Sequence, residues 1–361
     1  YILTPHPTHL EIPFRSLQKT LVPMVTRRFP DGNTELYREP LQSINRNLIT
    51  VELVKAAQDA GVTFVFETGF SRDMVDEASG VITLPSGATM KPRVLVGCDG
   101  VHGKIAKLVN PKEAERSSRI SEWGYYELTL PASATAAMSR ETFENFHIWP
   151  AKKDSPFKSE FFVGLPNCDG TVTLTLFGLT AEVNGRITTD EQMRQYLQET
   201  YDDNLDQSVE GISEAVKGGF QSIFLNEHEN LAGEIGSSGT FVFLFGDAAL
   251  GMEQFLGLAV NAGFEGVHRF LLHFAREGGK SKSDAYWRAQ VQARNALNSG
   301  VQALQQASHK NAASMRDGCD DPVVKAVRAA LEAKYGHADI NQSGFESTHD
   351  WWSYCEVRVF V

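Results

Sequence analysis

Two pairs of Asp and Gly residues, each placed after an apolar run, are the residues of this sequence best suited to chemistry. Asp99-Gly100 follows the run at 93–98, and Gly246-Asp247 follows the run at 240–245. A carboxylate at the end of a strand can accept hydrogen bonds from a ribose or ribityl hydroxyl, and the glycine lets a ligand approach the backbone. The loop from Gly257 to Asn261 offers further N–H groups ahead of a helix, which favours a diphosphate or an electron-rich ring. The pattern is typical of a site for a flat, charged cofactor.

Such residues must be positioned by strands that end at one edge of a sheet, and the sequence predicts these strands. The run at 93–98 is nearly all apolar, which indicates a strand buried on both faces, and the run at 240–245 indicates a second one. Residues 48–60 show helical spacing of apolar positions and stop at Gly61, so we expect a helix there and a strand at 62–67.

A second sheet is predicted between the two Asp-bearing runs. Residues 171–176 alternate strictly between Thr and an apolar residue, after a Pro-Asn-Cys-Asp-Gly turn. This alternation favours an antiparallel sheet over about 123–178. Thr188 and Glu191 have the spacing of a capping box, which predicts a helix from there to about Tyr201. Long helices are expected at 283–316 and 322–334.

Composition excludes several classes of function. The formal net charge of −11 repels nucleic acid. The four cysteines are far apart in the sequence, which argues against a zinc site or a disulfide framework and favours a reducing, intracellular compartment. No run approaches the roughly 18 apolar residues of a membrane span. His228 lies between two glutamates but has no second ligand pair at a suitable spacing, so we predict a solvated loop and no metal site.

Together these motifs resemble the single-component FAD-dependent aromatic hydroxylases, and within them the kynurenine 3-monooxygenase branch. The resemblance consists of short runs that follow one another in the family's order. The matching runs are Pro23-Met24 with Arg27, Ser43 to Arg46, Leu95 to Gly100, Gly124 to Thr129, His147 to Pro150, Leu165 to Phe177, Asn261 to Glu265, and Asn311 with Met315-Arg316.

The resemblance implies an α/β fold in which a Rossmann-like FAD/NAD(P)-binding domain, lacking its N-terminal part, is interleaved with an antiparallel-sheet substrate domain. We expect the first part of the FAD-binding-like domain, with a truncated start, at 1–110, and the substrate-type sheet domain at 111–225. The second part of the FAD-binding-like domain is expected at 226–280, followed by C-terminal helices at 281–336 and a tail at 337–361.

Site residues follow from the same resemblance, position by position. Arg46 would approach the flavin diphosphate, Asp247 would bind the ribityl chain, and the loop at 257–261 would present its amides to the isoalloxazine ring. Arg27, Tyr37 and Asn261 match positions that hold the carboxylate of an amino-acid substrate, although Arg27 beside Arg28 reads equally well as a surface cation. The implied FAD-binding set is Arg46, Asp99, Gly100, Gly246, Asp247, Gly257 and Asn261. No catalytic residue and no metal ligand is assigned.

The sequence departs from the family at the cofactor. It contains no Gly-x-Gly-x-x-Gly turn, whose place would lie before Tyr1, and Tyr1 itself suggests that the chain begins inside a longer one. The other departures replace the polar or small residues of the family with different ones. They are Gly103 for Ser, Ala106 for Arg, Leu250 for His, Gln254 for Pro, Leu258-Ala259 for Gln-Gly, and Ala312 for Tyr.

These changes remove charge, hydrogen bonding and backbone room from one site, while the core-forming motifs remain. We therefore expect the chain as given to carry no FAD.

Three functions stay open at this point. The first is a non-catalytic homologue that serves as a structural or assembly subunit beside protein partners, and the departures favour it. The second is an active hydroxylase that uses FAD, NADPH and O₂, with its glycine-rich turn upstream of Tyr1. The third is a module that binds a small aromatic amino acid without redox chemistry. We expect an intracellular location, mitochondrial in a eukaryote and otherwise cytoplasmic.

Overall fold

The computed structural model describes most of the chain between residues 46 and 296. The described parts are the backbone of the short strands at 2–3, 20–22, 25–28, 34–36 and 41–43, residues 46–112, 118–137, 146–150, 161–201, 209–226 and 228–252, residues 259, 263–264, 266–267 and 270, and residues 283–296.

Strands of the described residues form four sheets. The strands β1 to β16 are, in chain order, Ile2–Leu3, Thr20–Val22, Val25–Arg28, Thr34–Leu36, Leu41–Ser43, Val75–Asp76, Val81–Thr83, Thr89–Met90, Val94–Gly97, Ser118–Leu130, Phe146–Pro150, Phe161–Pro166, Val172–Leu179, Gln221–Asn226, Ala232–Glu234 and Phe241–Leu244. The largest sheet has the order β14-β10-β13-β12-β11-β3-β4, and three smaller sheets have the orders β15-β16-β9, β1-β5-β2 and β6-β7-β8.

Among the described helices, three have ten residues or more and the others are shorter. The helices α1 to α7 are Arg46–Asp59, Ala106–Val109, Ala132–Ala137, Thr180–Val183, Asp190–Thr200, Ile212–Gly218 and Asp284–Ala296, and 3₁₀ turns lie at Arg72–Met74 and Gly246–Ala248. By its contacts the chain divides into two compact units. Described residues within 1–62 and 121–223 belong to the first unit, and those within 63–120 and 224–312 belong to the second.

The first unit holds the antiparallel sheet that the alternating run predicts. Strand β13 pairs antiparallel with β10 and with β12. Its residues Leu174 and Leu176 are fully buried, and they pack in one cluster with Met193 and Leu197 of α5. The alternation of the sequence therefore corresponds to one buried face. The mixed α/β fold agrees with the expectation, whereas the division into five segments stays a prediction.

Three local expectations are wrong. Residues 62–67 form no strand, because the described residues place no partner strand beside them and Glu67 has a positive φ of 55°. The strand β9 is not buried on both faces, since Val96 is 42% exposed. The capping box lies one residue later than predicted: Thr189 accepts from the N–H of Gln192, whose side chain bonds back to the cap.

Candidate functional site

The two Asp-bearing strand ends meet at one edge of a parallel pair, as the sequence predicts. Strand β9 runs parallel to β16, with Gly97 opposite Leu244. The pairing continues one step beyond the strands, because the N–H of Phe245 donates to the carbonyl of Gly97 at 2.9 Å. Asp99 and Asp247 each follow two residues after these partners, so both leave the sheet at the same edge.

The Asp99 carboxylate is engaged by its own loop. Its Oδ2 accepts hydrogen bonds from the backbone N–H groups of Lys104 at 2.6 Å and Ile105 at 3.0 Å, just ahead of α2. A Cβ at Gly103 would lie 2.5 Å from Cγ of Asp99 and 2.8 Å from the carbonyl oxygen of Gly100. Position 103 therefore has to be glycine while Asp99 holds this conformation. That requirement gives a physical reason for the departure from Ser at this position.

Asn226, a residue that the sequence analysis missed, forms a hydrogen bond to the Gly246–Ala248 turn. Asn226, only 3% exposed, ends β14, and its Nδ2 donates to the carbonyl of Asp247 at 2.6 Å. Gly246 itself has a φ of +57°, which a residue with a Cβ rarely adopts. The side chain of Asp247 is exposed. No local pattern marks Asn226, because its partner is 21 positions away.

A small pocket lies between the two loops. Its volume is about 20 Å³, which is room for about one water molecule. The lining residues are Gly100, Val101, Gly103, Ala106, Lys107, Asn110, Asn226, His228 and Ala248. The loops that follow both strands thus face a common space, but this pocket does not itself accommodate a diphosphate.

Three of the positions at which the resemblance implies a departure from the family lie in or against one apolar cluster. Ala106 is 6% exposed and Leu250 is 7% exposed, and both belong to the buried cluster that includes Ile105, Val242 and Leu244. Ala259 is partly buried and packs against the same cluster.

FAD needs charged and hydrogen-bonding groups at its diphosphate and ring. The three replacing positions offer none, and the Asp99 carboxylate already accepts two bonds from its own loop. The exposed carboxylate of Asp247 can still accept hydrogen bonds from a ribityl hydroxyl, so the described residues at this edge offer FAD only part of what it needs.

His228 corrects the sequence-based expectation of a solvated loop. Its side chain is only 5% exposed, and it lines the small pocket beside Asn226 and Ala248. Burial lowers the pKa of the imidazole, an effect that a hydrogen bond to the Ala248 backbone partly offsets. The two flanking glutamates in the sequence gave no sign of burial. Within the described part of the chain, no group of three or more His, Cys, Asp or Glu side chains could hold a metal ion.

Helix α7 contacts the Gly-Asp strand and its neighbour through Arg294 and Asn295. No sequence pattern marks either residue. Nη2 of Arg294 donates to the carbonyl of Leu244 at 2.8 Å, and its guanidinium lies 4.7 Å from the ring centre of Phe245. Burial lowers the pKa of Arg294 to about 10. Oδ1 of Asn295 accepts from the N–H groups of Leu231 and Ala232 at 2.8 and 2.9 Å. Arg294 thus contacts the end of the Gly-Asp strand, and Asn295 contacts the segment that begins the neighbouring β15.

The remaining predicted site residues are placed only in part. Arg46 is the first residue of α1, and Arg27 lies in β3. Tyr37, Gly257 and Asn261 lie outside the described residues, as do the side chains of Arg27 and Arg46. Their roles toward FAD or an aromatic substrate therefore stay predictions. Among the described helices, none is both long and apolar enough to cross a membrane.

Curated proteins similar to this chain are named kynurenine 3-monooxygenase. The one from Flavobacterium johnsoniae is 27% identical over 238 residues, which is 63% of this chain and 50% of that protein. The one from Cytophaga hutchinsonii is 28% identical over 282 residues, or 74% of this chain and 58% of that protein. The one from Saccharomyces cerevisiae is 26% identical over 293 residues, with coverage of 74% and 60%. The chain thus spans between half and three fifths of the length of these relatives.

Solved structures with a similar fold include an oxygenase and a protein in complex with FAD. The tetrameric form of 2-methyl-3-hydroxypyridine-5-carboxylic acid oxygenase has a TM-score of 0.60 at 20% identity, and the match covers 90% of this chain and 80% of that one. HpxO of Klebsiella pneumoniae, in complex with FAD and uric acid, has a TM-score of 0.59 at 15% identity, with coverage of 94% and 82%. These likenesses show the fold.

The family described as FAD binding domain matches residues 25–293. Because this match extends over most of the sequence, the chain belongs to the FAD binding domain family of the FAD-dependent aromatic hydroxylases.

Proposed function

We propose that this chain is a kynurenine 3-monooxygenase-like hydroxylase homologue that does not hydroxylate, and that it serves as a structural subunit of a larger protein assembly. One observation carries the proposal. Ala106, Leu250 and Ala259 are far apart in sequence, stand where the family has Arg, His and Gly, and join a single apolar cluster. Unrelated changes would leave the three side chains scattered, whereas here they lie in or against one cluster.

The Asp99 loop supports the same proposal. Its carboxylate bonds to the N–H groups of Lys104 and Ile105, and Gly103 leaves the space that this arrangement needs. Those two amides are therefore satisfied within the chain and are not available to a phosphate. A fold that keeps its sheets but closes its ligand loops retains a rigid surface, and such a surface is what a subunit of an assembly requires.

An active hydroxylase is the second candidate, and a specific observation favours it. Asp99 and Asp247 leave parallel neighbouring strands at one edge, with glycines of positive φ at 100 and 246. This is the arrangement expected for a dinucleotide site at the carboxyl ends of parallel strands. In this case the cation and the glycine-rich turn would come from parts of the protein outside the described residues.

The test is made on the natural full-length protein, purified without added flavin and again after incubation with FAD. We expect no flavin absorbance band and no oxidation of NADPH in the presence of kynurenine. We also expect the protein in native extracts to migrate in a complex larger than itself. A yellow preparation with one FAD per chain and kynurenine-dependent NADPH oxidation would replace this proposal with the hydroxylase. A colourless protein that is monomeric in extracts would refute the assembly role alone.

A further inference from the structure

One Asn-Gly pair occurs in the sequence, Asn184-Gly185, and both of its residues are exposed on the first unit. The pair follows the short helix α4 and precedes α5. Asn184 has a φ of −63° and a ψ of 129°, and Gly185 has a φ of +79°. The N–H of Arg186 donates to the carbonyl of Val183 at 3.1 Å. Residues 183–186 therefore form a type II turn, with glycine at the position that needs a positive φ.

The surroundings of this pair leave it open to reaction. A Cβ placed on Gly185 would meet no atom within 4 Å. The backbone N–H of Asn184 donates to the carbonyl of Thr180 at 3.0 Å, but the side-chain amide of Asn184 has no hydrogen-bond partner among the described residues. The amide carbon of Asn184 is thus next in sequence to a backbone nitrogen that solvent reaches, and no packed side chain obstructs their approach.

Two other side chains at a turn of the same unit are held in place. Asn167 donates from Nδ2 to the hydroxyls of Thr171 and Thr173, both at 3.0 Å. Asp169, which also precedes a glycine, accepts from the hydroxyl of Thr171 at 2.7 Å and from its N–H at 3.0 Å. These bonds lower the pKa of the Asp169 carboxyl, so it stays ionised and is a poor target for a neighbouring amide.

We propose that Asn184-Gly185 is a self-modification site, at which the turn converts to isoaspartate without an enzyme. The backbone nitrogen of Gly185 attacks Cγ of Asn184 and forms a C–N bond, and the amide nitrogen leaves as ammonia with the proton of the attacking N–H. Glycine favours this step because it has no Cβ to obstruct the attack. Water then opens the resulting succinimide. Opening at one carbonyl gives aspartate, and opening at the other gives isoaspartate, in which the main chain runs through the side-chain carbon.

Isoaspartate at this turn disturbs the core, because both flanks of the turn are anchored. Val183 is 1% exposed and Ile187 is 5% exposed, and both belong to the buried cluster that contains Leu174 and Leu197. The carbonyl of Ile187 also accepts from the hydroxyl of Tyr126 in β10 at 3.4 Å. Isoaspartate lengthens the backbone between these anchors by a methylene group, and a close-packed interior does not absorb added length freely. The modification therefore loosens the packing of α5 on the sheet.

The first experiment incubates the natural full-length protein at neutral and at mildly alkaline pH. Mass spectrometry follows the peptide of residues 180–190, with an isoaspartate-specific methyltransferase as the probe. We expect conversion at Asn184, faster at the higher pH because the attacking nitrogen must lose its proton, and none at Asn167 or Asp169. Asn184→Gln keeps an amide but disfavours ring closure, so it should remove the product. An Asn184 that stays intact in the folded protein, while a synthetic peptide of residues 180–190 converts, would overturn the proposal.

The second experiment tests the effect on the core by hydrogen exchange of residues 123–130 and 190–200. Asn184→Asp is the matched control, because it adds the same negative charge on a normal backbone. We expect the isoaspartate form to lose protection in both segments and Asn184→Asp to keep it. Equal protection in the two proteins would refute the loosening. Neither experiment involves flavin or a partner protein, so its failure and the failure of the proposed function are distinguishable.

Discussion

The antiparallel sheet of the first unit keeps the pattern of the family that it resembles, whereas the resemblance implies departures at the Asp-bearing edge of the second unit. In the sheet, Leu174 and Leu176 alternate with threonines and pack on α5, as any sheet with one buried face requires. At the edge, the strands, the glycines and both Asp residues are kept, but Leu250 and Ala106 have joined the core. The difference teaches that a fold depends on many apolar positions, whereas its chemistry depends on a few polar ones that can be lost while the fold persists.

The largest expected loss of stability comes from replacing Leu250, at the Asp-bearing edge, with the His that the resemblance implies for the family. Leu250→His places an imidazole in an apolar cluster without a hydrogen-bond partner, and we expect a loss of about 2–5 kcal/mol in the free energy of unfolding, measured by urea denaturation. Leu174→His in the sheet should cost a similar amount, since Leu174 is fully buried.

Leu250→Met, which conserves volume, is the control and should cost less than about 1.5 kcal/mol. A Leu250→His protein of undiminished stability, or one that becomes yellow with FAD, would show that the edge is still a polar site. The two regions would then not differ in the way described.

A smaller effect is expected from Asn226→Ala. The substitution removes the donor to the Asp247 carbonyl and leaves that acceptor unmet next to the pocket, at a cost of about 1–3 kcal/mol. Hydrogen exchange should localise the change to residues 246–250, while the sheet at 172–179 keeps its protection. Loss of protection in both regions would contradict the separation of the turn from the sheet.

The smallest expected effect is the coupling between Gly103 and Asp99 within the Asp99 loop. Gly103→Ala introduces a Cβ against the Asp99 carboxylate, so its cost should be larger in the natural protein than in an Asp99→Ala background. A double-mutant cycle is expected to give a coupling on the order of 1 kcal/mol. Additive effects would mean that Asp99 does not occupy the space beside Gly103 in solution.

Local patterns predicted a large part of the fold. The strands at 94–97 and 241–244, helix 46–59 and the turn before β13 follow from apolar periodicity and from glycines, which act over a few residues. The strand expected at 62–67 failed because a strand needs a partner, and sequence alone does not supply one. The capping box moved by one residue because Thr188 and Thr189 are both suitable caps, and only tertiary packing selects between them.

Site residues were harder to predict than the elements that carry them. Asp99 and Asp247 stood out because their position after a strand is a local signal. Asn226 and Asn295 were missed, since their partners lie far away in the chain: Asn295 bonds to Leu231, 64 residues earlier. A polar residue that bonds to distant backbone groups does not belong to any periodic pattern or short motif in the sequence. Its role is visible only when the two segments meet.

Asn295 has a consequence for an outer strand of the small sheet β15-β16-β9. Its Oδ1 accepts from the N–H of Ala232 at 2.9 Å, and its Nδ2 donates to the carbonyl of the same residue, also at 2.9 Å. Ala232 begins β15, which among the described strands is one of the two outer strands of its sheet. One side-chain amide thus imitates the peptide group of a neighbouring strand and occupies the pairing positions that a second chain would otherwise seek. Helix α7 therefore blocks strand pairing at Ala232. A shortened form of this chain that ends before Asp284 would leave the N–H and the carbonyl of Ala232 open to pairing with another strand.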